Sequence, residues 1–379
     1  MKILFIGPYR QSDEWGRKSR SVLQALKKVE NVTVTARPIY LTNSLNIHDA
    51  YVEDAEYVIE SEYDILIQFL LPPYTVYDGN FSKRIGIFNT ETIPYNIPKA
   101  HLTNELLMDE VWTDSIRIRD SLQVLFDQYE TNTKALAMPP VLDIAFTPSE
   151  QSQTIRASNP ELEDQFLFYY IGNMLDHKSG IQETCLAYLS TFTKNDPVTL
   201  VLGLETSIVP DQLNTILNQY RQALQNYIPI SNQGTIHVVA PQSSVLNPSE
   251  RSHIHIGSDC LISMGYAVSV NMTVLEGAIY HSTPIVTKGN ACYEWFGDQH
   301  LWGVNSYDDL CTFATSASDL YRFTVGELWN KPIVRSLAET MHNVYTNKFE
   351  RDKKQTANMG LRTIFEQANY NNIVNGETL

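Results

Sequence analysis

Short, continuous apolar runs alternate along the chain with longer stretches in which apolar residues recur at helical spacing. In the first part of the chain, Val22, Leu23 and Leu26 predict a helix over Ser19–Lys28. Buried strands are predicted around this helix and further along, at Lys2–Gly7, Val32–Val34, Tyr63–Leu71, Arg84–Asn89, Met108–Asp114 and Ala135–Met138. Apolar strands that are separated by helices are typical of a parallel sheet covered on both faces.

The pattern pauses at Asp143–Glu163, which is rich in Ser, Thr, Pro and charged residues and predicts a linker between domains. It then resumes, with helices predicted at Ile181–Phe192 and Pro210–Tyr227. The strands predicted in this second part are Phe166–Ile171, Val198–Leu204, Thr235–Val239, Cys260–Ser263 and Pro284–Thr287. Two successive α/β patterns predict two domains that face each other across a cleft at the carboxyl ends of their strands.

Composition and charge narrow the classes of partner. The chain has 379 residues, of which 43% are hydrophobic and 19% charged, as expected for globular domains, and its four cysteines form no CxxC pair. A formal net charge of -15 argues against nucleic acid and anionic lipid as partners. The N-terminal apolar run is too short for a signal peptide, and no stretch reaches the ~20 apolar residues of a membrane-spanning helix. We therefore expect a cytoplasmic protein with reduced cysteines and at most peripheral membrane contact.

Two segments between a predicted strand and a predicted helix are candidate anion-binding loops. The first, Gly7–Gly16, leads into Arg17 and Lys18, and the second, Gly172–Gly180, contains Lys178. Free N–H groups at a helix N-terminus and the point charge of a lysine both favour phosphate groups. The first segment has neither GxGxxG nor GxxxxGK[ST] spacing. Both segments also fit ordinary loops between a strand and a helix.

A third candidate lies in Asn271–Ala278, between two of the predicted strands. Glu276 falls one turn into the helix predicted there. An ionised carboxylate has only acceptor sites, so it can accept hydrogen bonds from both hydroxyls of a ribose. A glutamate near a helix N-terminus is also explained by the helix dipole alone, so both interpretations stay open.

The order of these segments resembles the retaining glycosyltransferases of the two-Rossmann-domain (GT-B) fold, the group 1, family 4-like enzymes that include sucrose synthases and mannosyl- and glucosyltransferases. The segments that carry the resemblance are Met108–Leu122 (MDEVWTDSIRIRDSL), Pro139–Pro148 (PPVLDIAFTP), Phe166–Phe192 (FLFYYIGNMLDHKSGIQETCLAYLSTF) and Thr273–Val286 (TVLEGAIYHSTPIV). The resemblance covers nearly the whole chain. It implies an α/β protein with an N-terminal Rossmann-like acceptor domain at residues 1–150 and a nucleotide-sugar donor domain at 160–345. A C-terminal helix at about 350–379 would return to the first domain.

The resemblance also implies roles for individual residues in the donor site. Lys178 matches the lysine that contacts the donor diphosphate. Asn173 stands where the family usually has an arginine, and Arg17 or Lys18 is a candidate substitute. Glu276 matches the second glutamate of the Glu-x7-Glu motif, which holds the nucleotide ribose.

Further matches concern the sugar and the phosphates. Gly16 matches the N-domain glycine near the donor phosphate. Asn271, Met272 and Thr273 stand where the backbone amides of the family approach the sugar and phosphates. The first glutamate of the motif would fall at Val268, so this position does not specify a donor sugar.

Two more glutamates follow predicted strands. Glu91 stands where many relatives carry a histidine near the reacting sugar, which makes it a candidate catalytic or acceptor-binding residue; a helix-capping role is the alternative. Glu294 is interpreted as a structural residue that orients its loop.

The expected activity is transfer of a sugar from a nucleoside-diphosphate sugar, with UDP among the candidate carriers, to a hydroxyl of a saccharide, a lipid-linked or another acceptor. Lys178 and helix N-termini would stabilise the departing diphosphate. No DxD pair ends a strand, so neither a metal nor a cofactor is expected, and retention follows from the resemblance alone. The alternatives are a catalytically silent nucleotide- or sugar-binding protein on the same fold, motivated by Val268 and Asn173, and a nucleic-acid-modifying glycosyltransferase.

Overall fold

The computed structural model describes residues 1–41, 46–47, 50–70, 75, 79–88, 90–94, 102, 105–142, 154–241, 246–280, 282–311, 327–367 and 370. Within these residues the chain forms two six-stranded sheets and one two-stranded sheet. Asn89 and residues 143–153, which include half of the predicted linker, lie outside the described residues, as do residues 371–379.

The first sheet is parallel throughout, and its strand order is β2-β1-β3-β4-β5-β6. Its strands are β1 (Lys2–Gly7), β2 (Thr33–Pro38), β3 (Ile65–Gln68), β4 (Lys83–Ile87), β5 (Glu110–Thr113) and β6 (Lys134–Ala137). All four residues of β3 are buried, because strands in the middle of a parallel sheet are covered on both faces. This explains why continuous apolar runs marked the strands.

The second sheet repeats the design with strand order β12-β11-β10-β7-β8-β9, again with parallel pairs only. Its strands are β7 (Phe166–Gly172), β8 (Val198–Leu204), β9 (Thr235–Val239), β10 (Cys260–Ser263), β11 (Ile285–Thr287) and β12 (Trp302–Val304). A separate antiparallel pair joins β13 (Ser306–Leu310) to β14 (Leu328–Pro332). Strands β12, β13 and β14 were not predicted from the sequence. They are short, and β13 is also mostly exposed and polar.

Helices fill the connections between strands. They are α1 (Glu14–Lys27), α2 (Ala50–Glu53), α3 (Ile116–Gln128), α4 (Ile155–Ser158), α5 (Ile181–Thr191), α6 (Pro210–Ala223), α7 (Pro248–Gly257), α8 (Met272–Ile279), α9 (Ala291–His300), α10 (Val334–Thr346) and α11 (Lys348–Gln367). Within the described ranges, no helix is both long and apolar enough to cross a membrane. All four cysteines are buried, and no disulfide joins them in the described part of the chain.

The first helix begins five residues earlier than predicted. Asp13 is its N-cap, and the Asp13 side chain accepts a hydrogen bond from the backbone N–H of Gly16. Gly16, Arg17 and Lys18 therefore lie inside α1 rather than in the loop before it. The prediction missed this first turn because Trp15 is its only apolar side chain, and the start is specified by the N-cap Asp13.

Part of the predicted linker is folded. Ile155 and Leu162 are buried in the core of the second sheet, and Arg156 donates hydrogen bonds to Gly257 O and to Asp259. The linker interpretation is thus wrong for residues 154–163. At the other end of the chain, α11 packs on α8 and α9, and Tyr370 beyond it packs edge-on against Trp112 in the core of the first sheet.

Candidate functional site

A cleft opens at the carboxyl ends of β7 and β10, the two neighbouring strands at which the order of the second sheet reverses. Ligands of open α/β sheets bind at such switch points. The cleft encloses about 700 Å³. Its described walls come from the loop after β7, the loop after β10, the start of α8, and Glu14, Arg17 and Glu91 of the N-terminal part.

The loop after β7 holds Lys178 at the cleft. Gly180 ends this loop with φ of 74°, and a side chain there would lie 2.1 Å from the Met264 carbonyl oxygen. The Lys178 backbone N–H donates to Asp176, and its carbonyl accepts from Tyr266 N–H at 2.9 Å. The position of Lys178 is therefore fixed by its own backbone, while its ammonium group reaches into the cleft.

Lys178 meets Glu91 across the cleft. Its Nζ lies 2.5 Å from Glu91 Oε2, although the two residues are 87 positions apart in sequence. The backbone carbonyl of Glu91 also accepts a hydrogen bond from Val268 N–H at 2.9 Å. The structure thus brings together the two residues that the sequence proposed as catalytic, and it pairs them with each other.

Acidic groups outnumber basic groups in the described wall of the cleft. Its carboxylates belong to Glu14, Glu91, Asp176 and Glu205, and its cations are Arg17 and Lys178. A diphosphate carries negative charge, so it would have to compete with these carboxylates for the two cations.

Arg17 forms the second ion pair between the two parts of the chain. Its Nη1 donates to both carboxylate oxygens of Glu276, at 2.7 and 2.9 Å, and its Nη2 lies 4.0 Å from Glu205. Burial acts to raise the pKa of Glu276, but Arg17 and then Arg251 hold it well below its usual range. Glu276 is therefore ionised, and it faces Arg17 instead of lining the cleft with Lys178.

Two residues that sequence reasoning missed complete this ion-pair network. Arg251 Nη1 lies 3.9 Å from Glu276, and His255 Nε2 lies 3.6 Å from the same carboxylate. His255 Nδ1 shares a hydrogen bond of 2.7 Å with the Tyr169 hydroxyl. Arg251 and His255 are four residues apart on α7, a spacing that places both on one helix face and could have marked them as a pair.

The remaining predicted residues fall in different environments. Asn173, Asn271 and Thr273 line the cleft with Lys178, whereas Met272 lines a second cavity. Asn271 is the N-cap of α8 and accepts a hydrogen bond from Thr273 N–H. Gly16 packs so closely that an added Cβ would lie 1.9 Å from the Gln11 carbonyl oxygen. In the structure, Gly16 allows α1 to approach the preceding loop this closely.

Val268 replaces the first glutamate of the motif and does not reach the cleft. Its side chain is fully buried and packs with Phe88, Ile93 and Met108 of the N-terminal part. Its carbonyl accepts a hydrogen bond from Ala291 N–H at 2.8 Å. A carboxylate at this position would be placed among apolar side chains, so the motif departure is matched by its surroundings.

A second cavity of about 430 Å³ lies beside the cleft, at the carboxyl ends of β3, β4, β5 and β6. Its described wall is mostly apolar, and Lys18 and Asp114 supply the charges. Lys18 Nζ lies 3.0 Å from Asp114 Oδ2, which also accepts from Val270 N–H. The cavity is therefore closed on one side by contacts between the two sheets.

Glu294 holds the two parts of the chain together. Its carboxylate accepts hydrogen bonds from Ile116 N–H at 2.8 Å and from the Ser115 hydroxyl. These groups form the N-terminus of α3, where a carboxylate is favoured by the helix dipole. The contacts agree with the structural role expected for this residue.

No protein-family model matches the sequence, and no curated protein matches it. Solved structures, in contrast, match over nearly all of the chain. The trehalose-6-phosphate synthase OtsA aligns with a TM-score of 0.63 at 9% identity, over 99% of this chain and 98% of its own. An E. coli trehalose-6-phosphate protein bound with UDP-2-fluoro glucose gives 0.62 at 11% identity, over 98% and 96%. Sucrose-phosphate synthase from Thermosynechococcus elongatus gives 0.58 at 11% identity, over 98% and 96%.

The chain has the GT-B fold. The parallel six-stranded sheets and these alignments over both sheets confirm the fold that the sequence predicted. At such low identities the similarity establishes the architecture, and the roles of Lys178, Glu91, Arg17 and Glu276 stay predictions. The same holds for the domain boundaries at 150 and 160, and for the absence of a metal or cofactor.

Proposed function

We propose that this protein is a glycosyltransferase that moves a sugar from a nucleoside-diphosphate sugar to an acceptor hydroxyl, with retention and without a metal. The observation that carries the proposal is the cleft at the switch point of the second sheet, with Lys178 held by its loop and facing Glu91. The similarity to an E. coli protein bound with UDP-2-fluoro glucose supports a UDP sugar as the first donor to test. A cytoplasmic location stays a prediction.

The donor diphosphate would bind beside Lys178. Its ammonium group forms an ion pair with the Glu91 carboxylate, and both residues line the cleft. A diphosphate offers more negative charge than a single carboxylate and can therefore take the place of Glu91. In the reaction, Lys178 would stabilise the charge that develops on the departing diphosphate.

The ribose would bind at Glu276 after a change of partner. Arg17 lies between Glu276 and the cleft, and it lines the cleft itself. When its guanidinium turns to the diphosphate, both carboxylate oxygens of Glu276 become acceptors for the ribose hydroxyls. This exchange would also supply the cation that the family has at the position of Asn173.

The acceptor would approach from the N-terminal part of the chain. Once Lys178 binds the diphosphate, the Glu91 carboxylate is released at the boundary between the two sheets. It can then accept a hydrogen bond from the acceptor hydroxyl and hold it close to the sugar.

A catalytically silent binding protein is the second candidate. Val268 favours it, because this residue is buried among apolar side chains where the motif has a carboxylate near the transferred sugar. Such a protein would keep the nucleotide end of the site at Lys178 and Glu276 and lack turnover.

Calorimetric titration of the full chain with UDP, GDP and ADP sugars, followed by assays of sugar hydrolysis and transfer, tests both candidates. A glycosyltransferase should bind at least one donor and release its nucleoside diphosphate. Binding without turnover against a panel of acceptors would favour the silent protein. If no nucleotide sugar binds, both candidates are wrong.

A further inference from the structure

A third cavity lies on the side of the Arg17–Glu276 pair that faces away from Lys178. We call it the arginine cavity, and the space between its walls, including its opening to solvent, is about 480 Å³. Its described wall consists of Ser12, Arg17, Arg20, Ile47, Leu142, Pro248, Arg251, Ser252, His255, Glu276, Ile279 and Tyr280. Lys178, Glu91 and Asn173 line the donor cleft and not this cavity.

The charges in this wall are unbalanced. Its described charged side chains are the guanidinium groups of Arg17, Arg20 and Arg251 and the carboxylate of Glu276. Arg20 is 1% exposed, and Arg17 and Arg251 are each 8% exposed. Glu205 adds a second carboxylate near Arg17 and Arg251, at 4.0 and 3.7 Å, but its side chain is one-third exposed and screened by solvent. The chain as a whole has a formal net charge of -15, so the buried excess of positive charge in this wall is a local departure from the overall charge.

Several donors in the wall have no hydrogen-bond acceptor. Within the described structure, Arg17 Nε, Arg251 Nη1 and His255 Nε2 are buried and form no hydrogen bond, and the same is true of Ser12 Oγ. The distances from Arg251 and His255 to Glu276, 3.9 and 3.6 Å, exceed hydrogen-bond length. Buried polar groups in folded proteins are almost always paired, so donors left unpaired around a cavity indicate a missing acceptor.

The electrostatics of Arg251 favour the same interpretation. Burial, followed by the neighbouring charge of Arg17, lowers the pKa of Arg251, and the attraction of Glu276 and Glu205 does not offset this. Burial also lowers the pKa of His255, which leaves a neutral ring. An anion in the cavity would oppose the repulsion between Arg17 and Arg251 and accept hydrogen bonds from both.

We infer that the arginine cavity binds a phosphate-class oxyanion, held by Arg251 and Arg17 with contributions from His255 and Ser12. A tetrahedral oxyanion presents several acceptors to donors that converge from different directions, and guanidinium groups suit it well. The anion can be free inorganic phosphate or a phosphate group of a larger ligand. This site lies on the other side of Arg17 from the proposed diphosphate position at Lys178, shares Arg17 with that position, and does not depend on sugar transfer.

The test is titration of the full chain with inorganic phosphate, by calorimetry and by thermal unfolding, against chloride of equal ionic strength. We expect saturable binding of one phosphate and a rise in Tm that chloride does not reproduce. Arg251→Met should weaken this affinity at least tenfold, and His255→Gln should weaken it less. Arg335→Met, which removes an exposed arginine paired with Glu339, should leave it unchanged.

Failure of wild-type protein to bind phosphate saturably would overturn the inference. So would wild-type affinity in both Arg251→Met and His255→Gln; the second variant keeps the test valid if the first does not fold. A titration of UDP with and without phosphate then identifies the source of the anion. Competition shows that UDP and phosphate use the same groups, Arg17 among them, and simultaneous binding assigns the cavity to free phosphate. Phosphate binding without binding of any nucleotide sugar would leave this inference standing and remove the proposed function.

Discussion

Two of the ion pairs that connect the N-terminal and C-terminal parts of this chain, Lys178–Glu91 and Arg17–Glu276, differ in their surroundings. Lys178 and Glu91 form a single contact of 2.5 Å at the wall of an open cleft. Arg17 and Glu276 form two hydrogen bonds, and Arg251 and His255 lie behind the glutamate. The side chains of the two pairs are similarly buried, with 15% and 21% exposed in the first pair and 10% and 16% in the second. The difference is that the first pair lines the cleft, whereas the second belongs to a network of several charges.

The two ion pairs are expected to do different things, although the sequence motifs assigned both to one donor site. A charge that faces a cleft can release one anion and bind another, because water and the ligand replace the lost contact. When one charge of a buried network is removed, its partner is left as an unpaired buried charge. We therefore expect Lys178 and Glu91 to control ligand binding, and Arg17 and Glu276 to control stability as well.

The largest expected effect is on the stability of the folded chain. Arg17→Ala should lower the free energy of unfolding by about 3 kcal/mol, because it leaves the buried Glu276 carboxylate without its bidentate partner. Lys178→Ala should cost less than Arg17→Ala, since Glu91 lines the cleft, where water can replace the lost contact, and its pair with Lys178 has one hydrogen bond instead of two. Urea unfolding of both variants measures the difference.

Arg335→Ala is the matched control for these two variants, since it removes an arginine that is 88% exposed and paired within α10. It should change stability by less than about 0.5 kcal/mol. Equal losses in the Arg17 and Lys178 variants would show that the two pairs do not differ as their surroundings suggest.

Much of the fold could be predicted because strands in a parallel sheet are apolar on both faces. Strands β7 and β8 are buried over almost their whole length and were found within one residue of their observed ends. The start of α1 was missed because its first turn, Glu14 to Arg17, has few apolar residues and is specified by the Asp13 cap. Local patterns thus identify elements well where burial dictates the sequence.

The candidate site was less predictable because its pairs are formed by the approach of the two sheets. Motif positions indicated Lys178 and Glu276, but nothing local to either residue indicates that Glu91 and Arg17 are their partners across 87 and 259 positions. Arg251 belongs to no motif, and its importance follows only from the cavity that it lines. Val268 was identified as a departure, and the structure adds that its apolar neighbours suit a valine.

The next expected effect concerns ligand affinity at the exchangeable pair. Glu91→Gln should tighten UDP binding about tenfold, or ~1.4 kcal/mol, because the diphosphate no longer competes with a carboxylate for Lys178. Lys178→Ala should weaken UDP binding by at least the same factor. Calorimetry of both variants with UDP measures these changes.

Glu205→Gln is the control for the contact with Lys178, because it removes a carboxylate from the same cleft that lies near Arg17 and Arg251 and not at Lys178. It should affect UDP binding less than Glu91→Gln does. If the two glutamine variants change the affinity equally, general charge repulsion and not exchange at Lys178 governs donor binding.

The smallest expected effect is a pH dependence that originates in the buried network. Burial lowers the pKa of His255 below its ordinary value of 6.5, despite the nearby Glu276 carboxylate. Just below pH 6.5 the unfolded chain therefore binds a proton that the folded chain does not, so stability falls as the pH drops from about 7 to 5. Glu276, whose pKa is also lowered, adds its own loss only below about its ordinary value of 4.5.

His255→Gln should remove part of the slope between pH 7 and 5, because the variant has no ring that takes up a proton on unfolding. Urea unfolding at several pH values measures it, with the exposed His342→Gln as the control that should keep the wild-type slope. The Lys178–Glu91 pair contains no histidine, so Lys178→Ala should also keep that slope. A slope unchanged in His255→Gln would mean that this ring exchanges no proton on unfolding, and the network behind Glu276 would then be less tightly buried than its geometry indicates.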